Sequence, residues 1–394
     1  MQFATRLQSL SRNVFADMDR AKTKAKLGTK IIDLSLGSSD LPVAKETIAV
    51  IEQALHDPDS HGYLLHTGTH DFRTAAANWY TNRFGVAVNP ETEVLQLIGS
   101  QEGTAHLPLA ILNPGDVALL LDPGYPSHAG GVYLAGGTIY PMPLLAENNF
   151  LPILENVPDA TLAKSKMMVL SYPHNPTTAI ASLNFFKQAV DFCRQHDLVL
   201  VHDFPYVDLV FTDEDDSLSV APSILQADPH KKLSIEFFTL SKSYNMGGFR
   251  IGYAIGNSSL INALKQIKAV VDFNQYRGIL DGAIAALSGS SDAVRQTVAT
   301  FKHRRDIFVE ALNEIGWQVP LPSATMYVWA KLPEPWQNNS IDFCTKLVAQ
   351  TGVAASPGAG FGRSGEGYVR FALVEDPQTL RQAASKIKLF LESN

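Results

Sequence analysis

Apolar runs recur along most of the chain: VLQLIG (94–99), DVALLLD (116–122), KMMVLSY (166–172), LVLVHD (198–203) and EFFTLS (236–241). Several are continuous rather than alternating, which suits strands covered on both faces, as in a largely parallel sheet. Between them, EGTAHLPLAIL (102–112) and LNFFKQAVDFCRQHD (183–197) space their apolar residues as helices do. Strand–helix alternation predicts an α/β fold. From about Ser291 the texture changes. A long helical pattern (292–316) leads into SATMYVWAKL (323–332), a helix (342–350), a Gly/Pro-rich loop (352–367), a strand YVRFALV (368–374) and a final helix. This predicts a large domain over 46–290 and a smaller α+β domain over 291–394, with an N-terminal arm, 1–45, packed against the smaller one.

Composition narrows the picture. The 394 residues carry a net charge of -7 and no concentrated basic run, which excludes non-specific binding to nucleic acid. No uninterrupted apolar stretch is long enough to span a bilayer. The first 30 residues, with Asp17 and Asp19 among their lysines and arginines, lack the apolar core of a signal peptide. Cys193 and Cys344 have neither metal-ligand spacing nor a disulfide framework around them, so a reducing, cytoplasmic setting is expected.

The most informative segment is SKSYNMGGFRIGYAIG (241–256), which sets Lys242 between two apolar strands. An ammonium resists such a place. A lysine amine can condense with an aldehyde cofactor, and neighbouring hydroxyls (Thr239, Ser241, Ser243), paired glycines and Arg250 favour that reading over a solvated loop lysine. Asp203 closes a strand at the edge where open α/β sheets bind ligands. A carboxylate there can hold a pyridinium nitrogen protonated, although a helix N-cap is the structural alternative. Asn175 precedes Pro176 in a turn signal. IGSQEG (98–103) runs from strand to helix, where free N–H groups attract phosphate. Arg370, on YVRFALV, offers the two-pronged geometry that suits a carboxylate.

Together these motifs resemble those of class I/II aminotransferases of PLP-transferase fold type I, over essentially the whole chain. That family carries the pattern S-K-x-(Y/F)-N-(M/L)-x-G-x-R-x-G. The resemblance implies pyridoxal 5′-phosphate (PLP) bound to Lys242, with Asp203 at the ring nitrogen and Asn175 and Tyr206 at the phenolate oxygen. It implies Tyr125 stacked on the ring, and a phosphate cup of Ser100, Gln101, Glu102, Thr239, Ser241 and Arg250. Glu102 faces the phosphate only through its backbone. Asn175 and Arg370 would meet the substrate, Arg370 gripping its α-carboxylate, with Gly37 giving close backbone approach. Tyr63 would reach the phosphate of a partner subunit, making the working unit a homodimer with shared sites.

PHNPTT, TLSKSYNMGGFRIGY and SATMYVWAKLPEPW are most similar to the alanine aminotransferase and LL-diaminopimelate aminotransferase-like subgroup. The loop DFNQYRGILDGA (272–283) departs from that subgroup's F-x-P-x-Q, with Tyr276, Gly278 and Leu280 at its fixed positions. Arg277 is an added charge, expected to recognise an acidic substrate side chain across the dimer. The implied activity moves an amino group from an L-amino acid of the alanine, glutamate, aspartate or diaminopimelate type to a 2-oxo acid such as 2-oxoglutarate or pyruvate. In it the freed Lys242 acts as the base. A PLP-dependent lyase, performing β-elimination or C–S cleavage, is the alternative on the same fold.

Overall fold

The computed structural model describes residues 3–10, 14–25, 30–212 and 219–393. Parts of the expected N-terminal arm (1–2, 11–13 and 26–29) lie outside the described residues. The strands in chain order are β1 (Ile32–Asp33), β2 (Val94–Leu97), β3 (Val117–Asp122), β4 (Thr138–Pro143), β5 (Ser165–Leu170) and β6 (Val199–Asp203). They continue with β7 (Ser234–Thr239), β8 (Gly252–Gly256), β9 (Tyr327–Lys331), β10 (Val353–Ala354), β11 (Ser356–Pro357) and β12 (Tyr368–Ala372).

Seven strands form one sheet in the order β2-β8-β7-β6-β5-β3-β4. All its pairings are parallel except those of β8, which runs against both β2 and β7. The C-terminal ends of β2, β3, β5, β6 and β7 therefore share one edge. The continuous apolar runs explain the burial: every residue of β2 and β3 is buried, as both faces are covered by helices. Helix Leu183–Gln195 shows how. Ser182 accepts the N–H of Phe185 as its N-cap, and Phe185, Phe186, Ala189, Val190 and Cys193 form the buried stripe. The sequence pattern does not predict β4, because Pro141 and Pro143 interrupt it. β4 pairs only with β3, and on an edge strand the missing N–H groups are tolerated.

A second core surrounds the antiparallel sheet β11-β12-β9. Phe301, Phe308, Leu312, Trp317, Phe343, Phe371 and Phe390 fill it. Each such burial contributes about 1.5–3 kcal/mol. Ile32 and Leu34 belong to this core, and β1 lies parallel to β10, which anchors the segment that follows it. Arg304 holds that segment from the other side, gripping Asp40 at 2.6 and 2.8 Å. Residues 35–38 thus run, fixed at both ends, along the seam between the two cores.

Candidate active site

At the seam, where the C-terminal edge of the large sheet meets residues 35–38 and β12, lies a cavity of about 460 Å³. One end is built by the strand-to-helix turn after β2. Gly99, at φ 76°, precedes helix Ser100–Ile111, and a Cβ on it would lie 2.5 Å from the Arg250 guanidinium. Glycine serves there for both backbone and space. Ser100 and Gln101 line the cavity with the helix's unpaired N–H groups. Arg250 lies over the turn, held by a bond from Nη1 to the Gly247 carbonyl (3.0 Å). Thr239 donates to Ser241 Oγ (2.8 Å), and both line the cavity.

Glu102 requires a correction. Its N–H is spent on the Gly99 carbonyl (3.2 Å), and its carboxylate turns away from the cavity onto Lys268. At the third helical position the side chain points back and down beside the turn, so neither donor nor acceptor of Glu102 faces a phosphate.

The middle of the cavity is the end of β6. Asp203 Oδ2 pairs with His128 Nε2 at 3.0 Å, both groups buried, while Oδ1 is buried with no hydrogen-bond partner among the described residues. An unsatisfied buried carboxylate oxygen is costly, and the donor it lacks is what a protonated ring nitrogen offers. Asn175 and Tyr125 line the same space, Tyr125 donating to Gln101 Oε1 (3.4 Å). Tyr206 and Tyr327 share a hydrogen bond of 2.8 Å. Burial pushes the Tyr206 phenol up. Tyr327 is buried too, but the charges of Lys242 and Arg370 and the bond from Tyr206 bring it below its ordinary value.

At the far end, Lys242 Nζ donates to the Gly37 carbonyl (2.6 Å) and lies 5.6 Å over the Tyr206 ring. A Cβ on Gly37 would fall 1.9 Å from the Tyr327 hydroxyl. Arg370 is buried between Tyr327 and Phe361, 4.2 and 4.7 Å from their ring centres. It donates to Asn175 Oδ1 (2.8 Å), the Ser35 carbonyl (2.7 Å) and Ser356 Oγ (3.2 Å), while its Nε has no hydrogen-bond partner among the described residues.

Two expected residues lie apart. Tyr63 is 95% exposed and meets the Phe273 ring edge-on at 6.3 Å. Arg277 opens helix Arg277–Ser288, half exposed, with Asp281 3.6 Å away. Neither lines this chain's cavity. Conversely, His128, Tyr327, Ser35 and Phe361 belong to the site although sequence reasoning passes over them. The one available signal is the place of His128, three residues beyond Tyr125 in the same helical start.

The family model for class I and II aminotransferases matches residues 29–387. The chain belongs to that family. This aminotransferase is 43% identical over 392 residues, 99% of each chain, to an LL-diaminopimelate aminotransferase of Dehalococcoides mccartyi. Its identity to the LL-diaminopimelate aminotransferase of Aquifex aeolicus is 40% over 388 residues, 98% of each chain. The solved structure of a probable N-succinyldiaminopimelate aminotransferase from Thermus thermophilus matches with a TM-score of 0.89 at 40% identity. That match covers 95% of this chain and 99% of the other. The enzyme is a PLP-dependent transferase that moves an amino group between an amino acid and a 2-oxo acid, and a lyase reaction is not favoured. Among the described residues no helix is long and apolar enough to cross a membrane.

Proposed function

We propose that this aminotransferase acts on a long amino acid carrying a second charged centre, LL-diaminopimelate, with 2-oxoglutarate as partner. The observation that carries this reading is the pair at the cavity's rim: Asp19 and Lys22 line it and stand 2.7 Å apart. A distal centre bearing both an ammonium and a carboxylate would meet one group of each sign. The names of the relatives support the same choice.

The cofactor, when bound, supplies an aldehyde that takes up the amino group and a ring that accepts electrons. Ser100, Gln101, Thr239, Ser241 and Arg250 hold its phosphate. Asp203, oriented by His128, holds its ring nitrogen. Asn175 and Tyr206 bind its phenolate oxygen, and Tyr125 covers the ring. Arg370 grips the substrate α-carboxylate through its fork of donors. Lys242 Nζ binds the cofactor at rest and, once displaced, takes the proton from the substrate α-carbon.

Residues 35–38 form one side of the cavity. A homodimer, supported by exposed Tyr63, Leu65 and Val270, would bring Tyr63 and Arg277 to a neighbouring site. The buried free thiols Cys193 and Cys344 suit the cytoplasm. The two cores support domains at 46–290 and 291–394; Ile32 and Leu34 join the smaller core, while Arg6 donates to the Leu134 carbonyl of the larger domain and Val43 packs on the larger core.

The test is an absorbance titration of the PLP-loaded enzyme with single amino acids. Loss of the visible band with LL-diaminopimelate at far lower concentration than with alanine or glutamate, weakened in Asp19→Asn and Lys22→Met, is the expected result. Equal response to all three amino acids would overturn the substrate assignment.

A further inference from the structure

Behind the phosphate end of the cavity lies a buried ionic cluster with no place in the chemistry described so far. Glu102 and Lys268 are both buried, and Lys268 Nζ sits 3.0 Å from each Glu102 oxygen and 3.1 Å from Asp272. Glu102 Oε2 also accepts the N–H of Ile98 at 2.5 Å. Ile98 and Gly99 form the turn that aims the helix N–H groups, so the carboxylate braces that turn from behind, much as a capping box does from within. Asp272 ends helix Ser258–Val271, and three residues on Gln275 reaches back under the same turn. Its Nε2 donates to the Arg250 carbonyl (3.0 Å) and its Oε1 accepts from Gln96. Both halves of the phosphate end, the helix start and Arg250, are thus tied to one cluster.

A carboxylate in the first turn of an anion-binding helix would repel the anion unless neutralised. Lys268 supplies the neutralising charge at contact distance, and its ammonium occupies the centre of the cluster.

We infer that Glu102 and Lys268 are positioning residues for the cofactor phosphate: Lys268 seats the Glu102 carboxylate, which holds the 98–101 turn in its anion-binding shape. This rests on the reading that Ser100, Gln101 and Arg250 hold the phosphate. The effect is confined to the phosphate, because the cluster touches neither Asp203 nor Lys242.

The readout is the affinity of the apoenzyme for PLP relative to pyridoxal, which lacks the phosphate, by absorbance titration. Wild type prefers PLP; a wild type indifferent between the two would remove the phosphate-end reading itself. Glu102→Ala should lower the PLP preference about tenfold, as loss of a supporting hydrogen bond does elsewhere, with pyridoxal affinity unchanged. Glu102→Gln, which keeps an acceptor for Ile98, should restore it. Lys268→Met should lose preference in the same direction, and it decides the matter should Glu102→Ala not fold. A wild-type preference for PLP in Glu102→Ala or, failing its folding, in Lys268→Met would overturn the inference. So would an equal loss for PLP and pyridoxal, which marks a general loss of structure.

Discussion

Replacing Arg370 with lysine keeps the charge and removes the fork. The guanidinium makes three hydrogen bonds, lies between two aromatic rings and keeps an Nε with no partner among the described residues. An ammonium on a shorter, flexible stem can offer one charge-assisted contact to a carboxylate where the fork offers two. Losing one such bond costs about 1.5–3 kcal/mol. Losing the stacked geometry on Tyr327 and Phe361 adds roughly 1 kcal/mol. At about 1.36 kcal/mol per decade, the specificity constant for an amino acid should fall by about 10²–10³. The assay is single turnover of the PLP-loaded enzyme, followed at the visible band, with an amino acid and with the matching amine that lacks the α-carboxylate. Wild type should favour the amino acid strongly, and Arg370→Lys should lose that preference while reacting with the amine as before. Equal losses for both substrates would show that Arg370 acts through structure, and the carboxylate argument would fail.

Three further outcomes follow from the geometry. Lys242→Ala should abolish transfer and the visible band, because both the cofactor link and the proton carrier vanish; spectra and turnover measured on one preparation check this. Gly37→Ala should keep the band but lose about a hundredfold in turnover, since its Cβ would lie 1.9 Å from the Tyr327 hydroxyl and the loop must shift away from Lys242. His174, buried and beside His128, is lowered from 6.5 to about 3 by burial first and that neighbour second. The unfolded chain therefore takes up a proton near 6.5 that the folded chain refuses. Stability is full above that pH and falls by about 1.4 kcal/mol per unit as pH drops from 6.5 toward 3. Urea unfolding at several pH values should show a shallower acid loss in His174→Asn; parallel curves for the two proteins would rule out that contribution.

The residues readable in the sequence are those whose chemistry and local spacing coincide. Lys242 sits between two apolar runs, Asp203 ends one, and Ser100 starts a helix after another, so each announces a ligand edge without help from distant chain. What escapes depends on partners far away. Nothing near His128 says that it meets Asp203, 75 residues later. Tyr327 reads as one more strand aromatic until Gly37 and Tyr206 are brought against it. Glu102 reads as a phosphate ligand from its place in the first turn, but the direction of its side chain is decided by Lys268, 166 residues on. In the same way β4 is hidden by its two prolines, which only its position at the sheet edge makes acceptable. Tyr63 and Arg277 belong to a different category, since their expected roles require a second subunit.

The short stretch at 35–37 has a stereochemical meaning. The Ser35 carbonyl holds Arg370 and the Gly37 carbonyl receives Lys242, so one rigid piece of backbone sets the spacing between the group that takes the carboxylate and the group that takes the proton. A tetrahedral carbon gripped by its carboxylate and its nitrogen presents its hydrogen on one side only. Its mirror image, held at the same two points, presents the side chain there instead. The handedness of the substrate is thus read by Arg370 and Lys242, and the backbone of residues 35–37 fixes the spacing at which they read it.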